Sequence, residues 1–147
     1  MNRITSLSLQ VVKEKNVLYE TNKISSPSNI VEILRLFELD KQSEENLIML
    51  ALDTKNKVLG YFTISIGTLN SSLVSPREIF KRAMLVNANS IILAHNHPSG
   101  DCTPSREDIE ATKRIKECGK ILGIELLDHI IIGDYGNYKS LRETGDF

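Results

Sequence analysis

The residue types best suited to chemistry in this chain lie close together. His95-Asn96-His97 ends an apolar run, Pro98-Ser99-Gly100 marks a turn, and Ser105-Arg106-Glu107-Asp108 opens a new helical pattern. On an extended strand, positions i and i+2 point to the same side roughly 6.6 Å apart, so His95 and His97 project together, on the side shared by Ile91 and Leu93. In the helix that follows, Asp108 shares a face with Ala111, Ile115 and Cys118, the side that periodicity assigns to the interior. An ionised carboxylate there needs a partner, because its uncompensated desolvation would cost several kcal/mol. A metal ion held by the two imidazoles is the simplest partner. Two His and one Asp leave the fourth tetrahedral position of zinc open, which is the pattern of a catalytic rather than a structural site. A divalent ion with a single carboxylate ligand retains net positive charge, enough to acidify water and to polarise a carbonyl. Such a site also needs a proton carrier that is not a ligand, and Glu45, at the entrance to the apolar segment Leu47 to Leu52, is the candidate general base. Ser105 is placed to donate a hydrogen bond to a developing oxyanion.

Each assignment has a plainer competitor. His95 and His97 could be strand-end histidines bonded to backbone, and Asp108 could merely complement a helix dipole, worth roughly 0.3 to 1 kcal/mol. The dipole explains neither the face nor the spacing of Asp108. Ser105 is equally suited to satisfy a backbone amide in the first helical turn. Glu44 and Glu45 are both compatible with a solvated loop. His129, beside Asp128 on an apolar strand, reads as a hydrogen-bonded histidine behind a ligand rather than as a ligand itself. Cys118 reads as a small buried hydrophobe, and Cys102 as a neutral loop residue whose thiol, if turned inward, would fill the open position.

The elements that must position these groups follow from pattern. Leu7, Leu9 and Val11 alternate with polar residues, predicting a half-buried strand that returns through Val17-Leu18-Tyr19 as an opening hairpin. Ser26-Pro27 starts a helix with Ile30, Ile33, Leu34 and Phe37 on one face. Leu47 to Leu52 is apolar throughout and predicts a strand covered on both faces; after a polar turn, Val58 to Ile66 predicts a second central or near-central strand. Ser75-Pro76-Arg77-Glu78 is a capping-box pattern for a helix with Ile79, Phe80, Ala83 and Val86 inward, stopped by Asn87-Ala88-Asn89. Ser90 to Ala94 predicts the buried strand that delivers the two histidines. A long helix is expected from Thr103-Pro104 to about Leu122, and Leu126 to Ile132 is expected to be the last strand before the turn at residues 133–137.

Composition limits what the site can belong to. The 147 residues are 41% hydrophobic, and Lys plus Arg (18) against Asp plus Glu (19) gives a net charge of −1. This predicts one globular domain over residues 1–147, with the motif-bearing core at about 44–145. The basic excess of a dedicated nucleic-acid binder is missing. On α-helical periodicity, Lys113, Arg114, Lys116 and Lys120 are interspersed with Glu107, Glu110 and Glu117, as on a solvated face. No stretch reads as a signal peptide or a bilayer span, so the expected compartment is the cytoplasm and no membrane partner is expected. Two cysteines without C-x-x-C spacing fit reduced thiols and leave any metal to nitrogen and oxygen ligands.

His95-x-His97-Pro98 with Ser105 and Asp108 downstream resembles the JAMM motif of JAB/MPN-domain zinc metalloproteases. The fuller string His95-Asn96-His97-Pro98-Ser99-Gly100-Asp101, with Thr103-Pro104-Ser105, Asp108, Ser75-Pro76-Arg77-Glu78 and Leu127-Asp128-His129, resembles the JAB domain of RadC-like proteins. The resemblance runs from about Glu45 to the C-terminus. It implies a cytidine-deaminase-like, three-layer α/β/α sandwich with a mixed sheet, and one zinc ion on His95, His97 and Asp108. It also implies Glu45 as the catalytic carboxylate, and it is the family register that selects Glu45 over Glu44. Ser105 is implied near the oxyanion. Two features depart from the family. Longer RadC-like proteins join this domain to a helix-hairpin-helix DNA-binding module for which the chain has no room before its first strand, so the DNA-repair label carries over only weakly. Cys102 also stands where a proline or other non-ligand is common.

Two function classes therefore lead. The first is a zinc-dependent hydrolase acting on a peptide or isopeptide amide in a protein or peptide substrate. The second is a DNA repair or recombination accessory protein that binds or processes nucleic acid, its metal site structural or vestigial. A zinc nucleoside deaminase would share the fold, but its H-x-E and P-C-x-x-C signature is absent. The oligomeric state is left open, a homodimer included.

Overall fold

The computed structural model describes residues 1–67, 74–134 and 136–147. Its regular part starts at Ile24, whose N–H is held by the Asn56 carbonyl at 2.8 Å. Pro27–Leu36 forms α1, which buries Ile30, Val31, Ile33 and Leu34; a short 3-10 turn follows at Leu39–Lys41. Proline at the first helical position has its φ already set for helix and no N–H to leave unpaired. Strands β1 (Asn46–Leu52) and β2 (Val58–Ile66) form a hairpin. Helix α2 spans Pro76–Leu85 and β3 spans Ser90–Asn96. Helix α3 (Arg106–Leu122) then crosses over to β4 (Glu125–Ile132), and β5 (Tyr138–Ser140) closes the order.

Among the described residues the strands make one sheet, ordered β2-β1-β3-β4-β5, parallel between β3 and β4 and antiparallel elsewhere. The parallel pair is joined through α3, as a parallel connection requires. Alternation along the strands divides the interior in two. Ile48, Leu50, Leu52, Ile92 and Ala94 pack with Ile30, Val31 and Leu34 of α1. Leu47, Met49, Ile91 and Leu93 pack with Ile79 and Phe80 of α2 and Ile115 of α3. Helices thus cover both faces of a mixed sheet, the three-layer arrangement expected. The full burial of β1 and β3 explains why residues 47–52 and 91–94 are apolar at every position instead of alternating.

Several expectations are corrected. The opening hairpin does not form: residues 1–18 carry no regular secondary structure, and Leu7, Leu9 and Val12 are exposed. Period-two alternation gives a strand only when a neighbouring edge or face receives it, and an isolated two-stranded hairpin is marginal in water. Strand β2 is an edge strand rather than a near-central one, with its residues only partly covered. At α2 only half of the capping box is made: Ser75 Oγ accepts from Glu78 N at 3.4 Å, while the Glu78 carboxylate turns to Arg82 at 2.7 Å. Helix α3 begins at Arg106, two residues beyond Pro104, because Ser105 rather than Thr103 is its N-cap. A further short strand, β5, follows the one expected to be last. Of the turn expected at 133–137, Tyr135 lies outside the described residues.

The exposed arm leads to a first prediction. Deleting residues 1–12 should change stability by no more than about 0.5 kcal/mol, as for surface changes that remove no buried group. Thermal unfolding of the shortened chain checks this, and a Tm drop of several degrees would show that the arm packs in solution.

Candidate metal centre

Strand β3 sits between β1 and β4, and this places His95 at the centre of the sheet. His95 pairs across to Leu47 on one side and Ile131 on the other, and is fully buried. His97 lies one residue past the strand end, but its N–H still bonds the Ile132 carbonyl at 3.0 Å, which keeps the chain extended. The two side chains therefore leave the same side of the strand, as the i, i+2 spacing predicts, and their Nε2 atoms are 2.9 Å apart.

Asp108 arrives from the opposite layer, on the first turn of α3, and its orientation is set by the helix start. Ser105 Oγ accepts from Asp108 N at 3.0 Å, and Asp108 Oδ2 accepts from Ser105 N at 2.8 Å, a complete reciprocal cap. Held in this way, the carboxylate sets Oδ1 3.4 Å from His95 Nε2 and Oδ2 3.3 Å from His97 Nε2. One ligand atom from each of the three residues falls within a 4.8 Å cluster.

The loop between the strand and the helix is tightly specified. Gly100 has φ +87°, a left-handed conformation that favours glycine, and a Cβ there would crowd the Asp134 carboxylate. Asp101 Oδ1 accepts from Thr103 N and Thr103 Oγ1 at 2.9 and 2.7 Å, and the Asp101 carbonyl lies 2.7 Å from His97 Nδ1. A carbonyl can only accept, so His97 Nδ1 carries its proton. In the neutral ring Nε2 then presents a lone pair to the cluster.

This donor set fits a divalent ion. A tetrahedral site with bonds of ~2.0–2.1 Å has ligand atoms about 3.3 Å apart. The His–Asp separations of 3.4 and 3.3 Å, made to different carboxylate oxygens, are close to this, and the two imidazole nitrogens at 2.9 Å need only part slightly. Two imidazole nitrogens and one carboxylate oxygen suit zinc, and nitrogen and oxygen donors also suit other first-row ions. Without a cation, lone pairs would face one another in a buried space. Burial opposes the Asp108 charge, but the His95 and His97 rings, which hydrogen-bond the carboxylate when protonated, outweigh it and hold the carboxyl well below its ordinary range. Conversely, the hydrogen bond to Asp108 raises His97 above its ordinary value against a smaller opposing effect of burial, with lesser help from Asp101 and the Glu45 charge.

These shifts fix the sign of a pH dependence. The folded value of His97 lies above the ordinary 6.5 of a histidine, so its contribution is complete below about 6.5 and is lost as pH rises through the folded value. Asp108 is depressed below 3.8, so its contribution is present above about 3.8 and disappears as pH falls through the folded value. The chelated protein should therefore lose Tm as pH rises above about 6.5, and a divalent ion, which replaces the proton, should move the optimum upward. Thermal unfolding with and without chelator checks this; a Tm of the chelated protein that instead increases as pH rises above that value would contradict the assigned pair.

The other sequence-predicted residues are placed as follows. Glu45 is half-buried and outside the three-residue donor cluster, whereas Glu44 is exposed. Glu45 stands beside a cleft of about 400 Å³ lined by Ser43, Glu44, Glu45, Gly67 and Pro98, next to His97. Ser105 is exposed, and its oxygen serves the helix cap, the plainer of its two expected roles. Cys102 does not join the cluster: its sulfur faces Gly100 O at 4.0 Å and Gly133 N–H, and burial raises its thiol. Cys102 is thus a loop thiol and not a member of the donor cluster, the preferred of its two sequence readings. Cys118 is only half-buried. His129 is buried behind the site, with Nε2 2.7 Å from His95 Nδ1, and desolvation pushes it well below its ordinary value.

Sequence reasoning missed Asn96. Between the two histidines, alternation turns its buried side chain to the other side of the strand. There Oδ1 accepts from Asn46 N at 2.7 Å, and Nδ2 donates to the Glu44 and Gln42 carbonyls at 2.9 and 3.2 Å. Asn96 thus fastens the loop that carries Glu45 to the strand that carries both imidazoles. A polar residue between the two histidines, at the end of a buried strand and facing the other side, was the available signal.

Comparison with known proteins agrees with this geometry. The RadC-like JAB domain family model matches residues 24–146. A UPF0758 protein of Clostridium perfringens is 58% identical over 121 residues, covering 82% of this chain and 52% of the relative. A UPF0758 protein of Staphylococcus haemolyticus is 52% identical over 128 residues, covering 87% of this chain and 55% of the relative. One from Methanosarcina mazei is 51% identical over 123 residues, covering 84% and 53%. The chain spans about half the length of these curated relatives, and their names state no activity. With the family match running through both faces of the sheet, the loop and the donor cluster, the chain belongs to the RadC-like JAB domain family.

Proposed function

We propose that this protein is a zinc-dependent hydrolase of JAMM type that cleaves a peptide or isopeptide amide in a protein or peptide substrate. The observation that carries the reading is the convergence of His95, His97 and Asp108 beside a cleft lined by the half-buried Glu45. His95 Nε2, His97 Nε2 and a carboxylate oxygen of Asp108 would hold one ion, which when bound acidifies water and polarises a carbonyl. Glu45 takes the proton from the attacking water and returns it to the leaving nitrogen. The Ser105 oxygen accepts from Asp108 N, which leaves its hydroxyl hydrogen to be donated to the oxyanion. Asn96 holds the loop that keeps Glu45 in position.

The setting we infer is cytoplasmic. Among the described residues no helix is long and apolar enough to cross a membrane. The alternative, a DNA repair or recombination accessory role, gains little from charge, since Arg106 pairs with Glu110 and Lys120 with Glu117 along α3. The test is to incubate the zinc-loaded protein with a denatured-proteome peptide library and with ubiquitin-like isopeptide conjugates, and to read new termini by mass spectrometry. New amide-derived termini that vanish with chelator are expected. Nucleic acid that co-purifies and is cleaved, with no amide product, would overturn the reading in favour of the alternative.

A further inference from the structure

Behind the donor cluster, buried polar atoms continue in one unbroken line. His95 Nδ1 lies 2.7 Å from His129 Nε2, His129 Nδ1 lies 2.6 Å from Thr112 Oγ1, and Thr112 Oγ1 lies 2.6 Å from the Asp108 carbonyl. All of these side chains are buried: His95 and Thr112 are fully enclosed, and His129 is 3% exposed. Among the described residues, the His129 ring bonds only His95 and Thr112, and the carboxylate of Asp128 takes the His129 backbone N–H rather than a ring nitrogen.

Proton positions along this line can be deduced from its far end. The Asp108 carbonyl only accepts, so the single hydroxyl hydrogen of Thr112 points at it. Toward His129 the same oxygen must then accept, and His129 Nδ1 must carry a proton. A neutral ring protonated at Nδ1 has a lone pair at Nε2, so His95 Nδ1 must be the donor across the 2.7 Å contact. His95 Nε2 is then unprotonated and faces Asp108 and His97.

We propose that Thr112 and His129 are positioning residues that lock His95 in its Nδ1–H tautomer and fix its ring plane, so that Nε2 is presented for metal binding. The inference rests on the metal-centre reading for its consequence, while the tautomer itself belongs to the metal-free protein. The arrangement has an economy of its own. Thr112 bonds the carbonyl of Asp108, the residue whose side chain completes the cluster, so α3 orients one candidate ligand directly and a second through two side chains. A neutral imidazole partner fixes the tautomer and ring orientation through a weaker hydrogen bond than a carboxylate would make, but adds no further buried charge.

The test uses the intact chain and two independent readouts. Long-range 1H–15N NMR on chelated protein, at a pH where His95 is neutral, reports which ring nitrogen carries the proton. Cobalt or zinc titration against a competing chelator reports affinity. Wild type should show His95 and His129 protonated at Nδ1. Thr112→Val should lose the defined His95 tautomer and weaken metal binding roughly 10- to 100-fold, the range for removal of a partner behind a ligand. Thr112→Ser should restore both. His129→Gln, whose amide can still accept and donate, should retain more affinity than His129→Leu. A wild-type His95 protonated at Nε2, or a Thr112→Val protein with unchanged tautomer and affinity, would overturn the proposal. Wild type that binds neither ion but shows the Nδ1–H tautomer would instead remove the metal-centre reading and leave the relay standing.

Discussion

Asp108→Ala should abolish metal retention and destabilise the protein even when no metal is present. The carboxylate has two jobs in the structure: it bonds Ser105 N at 2.8 Å to complete the cap of α3, and it faces His95 and His97 at 3.4 and 3.3 Å. Loss of the cap contribution costs about 0.5–2 kcal/mol. At a free-ion concentration of a thousand times Kd, loss of a bound ion removes a further ~4 kcal/mol. For a domain of this size each kcal/mol corresponds to about 2–4 °C in Tm. Asp108→Asn separates the two jobs, because an amide can still accept from Ser105 N but supplies no anionic ligand. Its chelated Tm should stay closer to wild type than that of the Ala variant, while its metal affinity falls. Metal analysis by mass spectrometry, paired with thermal unfolding, reads both. If the Ala variant retains stoichiometric metal, Asp108 is not a ligand.

Glu45→Gln should give the opposite pattern, with metal content intact and turnover lost. Glu45 lies outside the donor cluster and lines the adjoining cleft, so a neutral isostere leaves the site assembled but removes the proton acceptor. The expected fall in kcat is about 10²- to 10⁴-fold, the usual worth of a positioned general base. The Glu45 charge also contributes to raising His97, so the variant should lower the His97 midpoint in an NMR titration of the chelated protein. Glu44→Gln, at an exposed position, serves as the control and should alter neither. An intact kcat in Glu45→Gln would remove it from the mechanism. A chain trapped on this variant would identify the polymer that the cleft receives.

Much of the site was legible because its logic is local. The two imidazoles share a side because strand alternation has a period of two, and Asp108 is buried because the helix period puts it in line with Ala111 and Ile115. The buried strands were readable from uninterrupted apolar runs, and α1 and α2 from a serine followed by proline. The opening hairpin failed for the complementary reason. Its alternation is as regular as that of a strand, but regularity states only which residues could share a face. Whether that face is covered depends on a surface the segment cannot specify. Strand β2 was placed too near the centre for a similar reason, since Val58 to Ile66 is apolar enough for either an edge or an interior position.

The sequence by itself determined the candidate ligand set, because strand and helix periods act over a few residues and dictate which side chains lie together, and its motifs carried the family resemblance that implied the layers. Only the tertiary structure decided how those groups are held. Residues 42–46 are fastened to Asn96 across some fifty positions, and His95 is backed by His129, thirty-four positions later on the parallel neighbour β4. Such partners are chosen by strand order and register, which depend on the packing of the whole sheet between its two helical layers and leave no local period in the chain.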